Sequence, residues 1–114
     1  MIKIEAIVRE EKLEDIKEAL NRVEVKGVTI SQVMGCGKQK GYKEFVRGTE
    51  IAITMLPKIK IEIIVSSEEW EQKTIKAIQE AAYTGAPGDG KIFSYNLRNV
   101  MRVRTKETGT SAIN

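Results

Sequence analysis

The run Thr84-Gly85-Ala86-Pro87-Gly88-Asp89-Gly90-Lys91 holds the residue types from which an anion site can be built. Glycine tolerates positive φ and lets a ligand approach the backbone, so successive N–H groups can converge on a negative charge. Gly88, Asp89 and Gly90 offer backbone donors, and Lys91 adds a point charge at the end of the loop. Arg102 and Arg104 follow in a segment that reads as a short strand near 101–104, where a spacing of two puts both on one face. Backbone donors, a lysine and two aligned guanidinium groups suit a polyphosphate. The same residues also compose an ordinary turn and a solvated basic strand. Asp89 fits the turn reading, because Asp between glycines commonly accepts hydrogen bonds from its own backbone.

The elements that must position these residues follow from periodicity. Ile2, Ile4, Ala6 and Val8 alternate with Lys3, Glu5, Ile7 and Arg9, the pattern of a strand with one apolar face. Leu13, Ile16, Leu20 and Val23 recur at helical spacing and predict a helix over about 12–23, ended by Gly27. Residues 28–33 read as a second strand. Residues 35–49 are rich in glycine and charge, and the segment 37–55 reads as a long loop; loops longer than about 12–15 residues in compact domains are usually functional. The apolar run 51–56 reads as a backward extension of the third strand or as a partner contact. Ile59, Ile61, Ile63 and Val65 restart strict alternation. Ser66 and Glu69 fit a capping box for a second helix running to about residue 82. A fourth strand over 91–97 follows the loop 84–91, and the tail 105–114 is polar and expected to be mobile without ligand.

Strand–helix–strand, long loop, strand–helix–strand is the ferredoxin-like βαββαβ order. It predicts an α+β sandwich: a four-stranded antiparallel sheet with two helices on one face, its other face solvated or covered by another chain. Ile7 and Ile64 lie on that second face, which weakly favours an oligomer.

Composition narrows the chemistry. The 114 residues suit a single domain, 1–114, too small for a spacious enclosed cavity. The net charge of +3 is interspersed, which argues against a nucleic-acid tail. No histidine occurs, so Ser-His-Asp triads and imidazole zinc sites are excluded. One cysteine, Cys36, precludes an internal disulfide and fits a reducing, cytoplasmic setting; it reads as a small buried side chain. No apolar run approaches the roughly 20 residues that span a bilayer. RNA binding on this topology would need aromatics on the central strands, which carry Ile, Lys and Glu instead. No water-positioning base for ATP hydrolysis stands out, so an enzyme is not expected.

Four segments together resemble the PII nitrogen-regulatory signal-transduction family: 2–9; Gly37-Lys38-Gln39-Lys40-Gly41 with Arg47-Gly48; 56–62; and 83–93 with Val103-Arg104-Thr105. Thr-Gly-x-x-Gly-Asp-Gly-Lys-Ile-Phe is the specific piece. The resemblance implies a homotrimer with nucleotide sites in the clefts between subunits. It implies ATP or ADP contacts at Ile7, Thr29, Gly37, Lys38, Gln39, Glu62, Ile64, Gly88, Asp89, Gly90, Lys91, Arg102 and Arg104. It implies 2-oxoglutarate at Gln39, Lys40, Gly41 and Lys58, with Gln39 as a Mg2+ ligand beside the ATP phosphates. On this reading the ion joins nucleotide and oxoacid, and the two bind cooperatively. The loop 37–55 would then signal to an ammonium transporter or a nitrogen-assimilation enzyme, with Arg47 at its tip; such a partner would be the chain's only link to a membrane. The alternative within the family is a nitrogenase-associated regulator. Two departures matter. Lys38 stands where arginine is common, so a bidentate contact becomes single. Ile51 stands where many members carry a nucleotidylated tyrosine, and Ile has no hydroxyl to modify; Tyr42 and Thr49 remain, away from that position.

Overall fold

The computed structural model describes residues 1–37, 44–46, 49–51 and 54–113. Its elements are β1 (Ile2–Arg9), α1 (Leu13–Arg22), β2 (Thr29–Gly37), β3 (Glu44–Val46), β4 (Thr49–Ile51), β5 (Thr54–Val65), α2 (Glu68–Ala82) and β6 (Gly90–Asn96). The main sheet is antiparallel in the order β2-β5-β1-β6, which is the ferredoxin-like arrangement read from the sequence.

Alternation decides which face is buried. Ile2, Ile4, Ala6 and Val8 of β1 and Ile59, Ile61, Ile63 and Val65 of β5 point to the helical side and form the core with Ile16 and Leu20 of α1 and Ala77, Ile78 and Ala82 of α2. Each large aliphatic side chain so buried contributes roughly 1.5–3 kcal/mol. The other face carries Lys3, Glu5, Ile7 and Arg9 in register with Glu62, Lys60 and Lys58, and with Lys91, Phe93 and Tyr95. No helix of the described residues covers it. Among those residues no helix is long and apolar enough to cross a membrane.

The structure refines one local expectation and corrects others. The third strand starts at Thr54, so of the two readings of the run 51–56 the backward extension holds from Thr54 on, where 54–58 pair with 33–37 of a longer β2. Part of the segment read as a loop is the small antiparallel pair β3–β4, with Val46 opposite Thr49. The helix ends also differ. Ser67, not Ser66, caps α2: its hydroxyl accepts from the Trp70 N–H at 3.3 Å. α1 ends not at Gly27 but through Glu24, which takes φ 66° while the Val25 N–H reaches the Leu20 carbonyl at 3.0 Å, a left-handed closing turn made without glycine. Finally, 101–104 is not a strand. Met101 bridges to Thr108, and the Lys106 N–H closes a turn on the Arg102 carbonyl at 2.8 Å. The tail is tied down as well: residues 109–112 form a 3-10 turn, and the Gly109 N–H donates to the Val100 carbonyl at 3.0 Å.

Candidate functional site

The glycine loop joins α2 to β6 and is organised by Asp89. Its carboxylate accepts from the Thr84 N–H at 2.8 Å, the Gly85 N–H at 3.0 Å, the Thr84 hydroxyl and Arg9 Nε at 3.2 Å. The turn-cap role of Asp89 is therefore realised. The Thr84 hydroxyl and N–H, then Gly85 and Arg9, hold the carboxyl well below the usual carboxylate range. Gly85, Gly88 and Gly90 all take positive φ, at 88°, 100° and 106°. Gly90 also passes so close to β1 that a Cβ would overlap the Ile7 carbonyl. Only glycine starts β6 in this way.

Two cations from neighbouring strands meet the loop. Lys58 Nζ donates to the Gly88 carbonyl at 2.8 Å, and Arg9 Nη2 donates to the Pro87 carbonyl at 2.7 Å. Arg9 and Lys58 are direct partners in the β1–β5 register. Gly35 leaves room for the Lys58 stem: a Cβ there would lie 2.9 Å from Lys58 Cγ. Ile7, half-buried, sits one step along the same face, opposite Lys60 and Lys91.

A second group lies at the other end of that face. Thr29 pairs with Glu62, and Ile64 follows two residues on; with Gly27, Val100 and Ile113 they border an open cleft of about 1120 Å³. Glu62 is held by Lys3 at 3.5 Å and Lys60 at 3.3 Å, and Tyr95 donates to Glu5 at 2.8 Å. The tyrosine hydrogen bond leads the influences that lower the Glu5 pKa, and the same bond raises that of Tyr95. Desolvation would lower Lys3, but Glu62 and Tyr95 outweigh it and leave its pKa raised. Lys58 and Glu62 are four residues apart on β5, roughly 13 Å at about 3.3 Å per residue. One chain thus carries two partial constellations, separated along one sheet face.

The arginine alignment expected at 102 and 104 does not occur. Both lie at a turn closed by the Lys106 N–H on the Arg102 carbonyl, so the extended segment that would have put them on one face is absent. Arg102 Nη1 is paired with Glu107 Oε1 at 3.3 Å, and Arg104 is exposed. Gly37 closes β2 opposite Thr54. Lys38, Gln39, Lys40, Gly41 and Arg47 lie outside the described residues. Sequence reasoning missed Arg9 and Thr84. The signal for Arg9 was its place on the Lys3-Glu5-Ile7 face, which acquires meaning only once the register sets it beside Lys58.

The family model of nitrogen regulatory protein P-II matches residues 1–107. The chain belongs to the P-II family. It is 48% identical to nitrogen regulatory protein P-II of Rhizobium meliloti over 113 residues, covering 99% of this chain and 100% of that one. It is 49% identical to nitrogen regulatory protein P-II 1 of Methanothermobacter thermautotrophicus over 113 residues, covering 99% and 97%. The solved structure of Bacillus subtilis GlnK superposes with a TM-score of 0.79 at 37% identity, covering 97% of this chain and 96% of that one. The P-II fold and the ferredoxin-like reading of the sequence therefore agree.

Proposed function

We propose that this P-II chain is a nitrogen-status signal transducer, not an enzyme, that binds ATP or ADP with Mg2+ and 2-oxoglutarate, and that it acts as a homotrimer. The observation that carries the reading is the loop 84–90, whose glycines and Asp89 hold a tight turn beside Arg9, Lys58 and Lys91. Convergent N–H groups with nearby cations are what phosphate groups require. Thr29, Glu62 and Ile64 would hold the base end of a nucleotide whose phosphates reach the glycine loop of a neighbouring copy. This arrangement would explain why one chain carries two partial constellations.

A phosphate-bound magnesium ion would need few protein donors. Among the described residues no three His, Cys, Asp or Glu side chains cluster to hold a metal. Mg2+ usually keeps waters and takes only one or two protein ligands beside substrate phosphates. Gln39 is the residue that would join it, and 2-oxoglutarate would complete the shell with help from Lys40, Gly41 and Lys58. Bound there, the ion would supply charge neutralisation to the phosphates and a common coordination centre for the two effectors. Lys58 would bear on both ligands, since it also holds Gly88. Output would pass through the segment 37–55, with Arg47, to an ammonium transporter or a nitrogen-assimilation enzyme in the cytoplasm. Ile51 cannot be nucleotidylated, so ligand occupancy would control the output.

Calorimetry tests the reading. ATP and ADP should bind, and 2-oxoglutarate should bind only with ATP and Mg2+ present. Absence of nucleotide binding would overturn the proposal. Tight oxoacid binding without nucleotide would overturn the magnesium link.

A further inference from the structure

We infer that Arg9, with Lys58, is a positioning residue that turns the glycine-loop amides toward the bound phosphates; the inference rests on the nucleotide reading above. Two carbonyls of the loop are pinned by these cations. Arg9 Nη2 takes the Pro87 carbonyl at 2.7 Å, and Lys58 Nζ takes the Gly88 carbonyl at 2.8 Å. In a trans peptide the C=O of one residue and the N–H of the next point in opposite directions, and the chain has no cis peptide among the described residues. Fixing the Pro87 carbonyl therefore aims the Gly88 N–H away from Arg9. Fixing the Gly88 carbonyl aims the Asp89 N–H away from Lys58. Neither N–H takes part in the loop's own hydrogen bonds, which use those of Thr84, Gly85 and Ala86. Two successive N–H groups without a partner among the described residues, held by carbonyls pinned behind them, form a concave anion site.

The cross-strand geometry supports the assignment. Like charges directly opposite each other on a sheet are destabilising. Arg9 and Lys58 are such a pair, and the side chain of Arg9 is only 22% exposed. The arrangement holds because three acceptors converge on the two cations: the Asp89 carboxylate and the carbonyls of Pro87 and Gly88. Arg9 contacts two of them through its fork, a pairing that lysine cannot reproduce. Arg9 thus acts through the loop and not on the ligand.

Calorimetric ATP titration of the full chain, combined with amide 15N–1H shifts of Gly88 and Asp89, tests this. In the wild type both amides should shift on adding ATP. Arg9→Met should bind ATP at least tenfold more weakly below its melting temperature, and its two amides should respond less. Arg9→Lys keeps the charge but fills one acceptor at a time, so it should weaken binding by about threefold. Should Arg9→Met fail to fold, Arg9→Lys decides the question. A role in stability alone would lower the melting temperature and leave the affinity of the folded protein and both amide responses unchanged; that result overturns the inference. A wild type that binds ATP without moving either amide also overturns it. A wild type that does not bind ATP overturns the nucleotide reading itself.

Discussion

Substituting alanine at two glycines separates backbone strain from steric exclusion. Gly90 takes φ 106°, and Gly109 takes φ 71°. Both positions resist an L side chain, at a cost of roughly 1–2 kcal/mol for the left-handed region. Their surroundings differ completely. Around Gly109 nothing lies within 4 Å of a built Cβ. At Gly90 the Cβ would overlap the Ile7 carbonyl oxygen and lie 2.9 Å from Ile7 C and 3.0 Å from Val8 Cα, all backbone atoms that cannot rotate away. Relief requires β6 to lift from β1 at Gly90↔Val8, beside the loop that Asp89 and Arg9 hold. Gly90→Ala should therefore cost about 3–5 kcal/mol, near the top of the single-substitution range. Gly109→Ala should cost only the strain. At about 4 °C per kcal/mol for a domain of this size, the melting temperature should fall by at least roughly 12 °C for the first and at most about 8 °C for the second. Thermal unfolding followed by circular dichroism, at one fixed protein concentration, reads both. Equal shifts for the two variants would refute the close-approach argument.

Thr74 is fully buried in α2, and its hydroxyl has no hydrogen-bond partner among the described residues; Thr74→Val keeps the shape and removes the orphan, so the unfolding free energy should rise by about 1–2 kcal/mol in urea titration. A fall would mean that the hydroxyl is satisfied. Glu24→Gly relieves φ 66° at the end of α1 and should stabilise by about 0.5–1 kcal/mol in the same assay; destabilisation would show that the glutamate side chain matters more than its backbone. The Asp89 pKa is depressed on folding, so its contribution is fully present above the unfolded value of 3.8 and is lost as pH falls from there toward the folded value. Wild-type stability should thus drop more steeply below pH 3.8 than that of Asp89→Asn, and parallel acid-unfolding curves would contradict the assignment.

The fold was legible because one periodicity dominates each element. Alternation over 2–9 and 59–65 names the core strands, and helical spacing from Leu13 and from Trp70 names the helices that cover them. Where the reading failed, the deciding interaction was not local. Residues 54–58 lack alternation, so the backward extension offered by the apolar run 51–56 could be settled only by β2, which runs on to Gly37 and supplies the partner. Ser66 and Ser67 are equally good caps by type; the backbone at Ser67, φ −151° and ψ 166°, decides between them. Glu24 closes α1 because Val25 must return its N–H to Leu20, and the glycine that periodicity nominated lies three residues further on. The spacing of Arg102 and Arg104 implied a shared face only on the assumption of an extended chain, and the bond from Lys106 to Arg102 removes that assumption.

The candidate site was legible in its types and not in its partners. Asp89 could be read as a cap from the glycines beside it, and the four hydrogen bonds to its carboxylate are what that reading demands. Lys58 was visible as a charge, but its contact with Gly88 spans 30 residues of sequence, and Arg9 with Pro87 spans 78. No spacing rule reaches that far. These contacts exist because the sheet order places β5 and β1 side by side at the centre and starts β6 against β1 at Val8. That order brings the loop onto two cations that would otherwise repel each other. Placing the glycine loop beside paired cations is therefore a property of the topology.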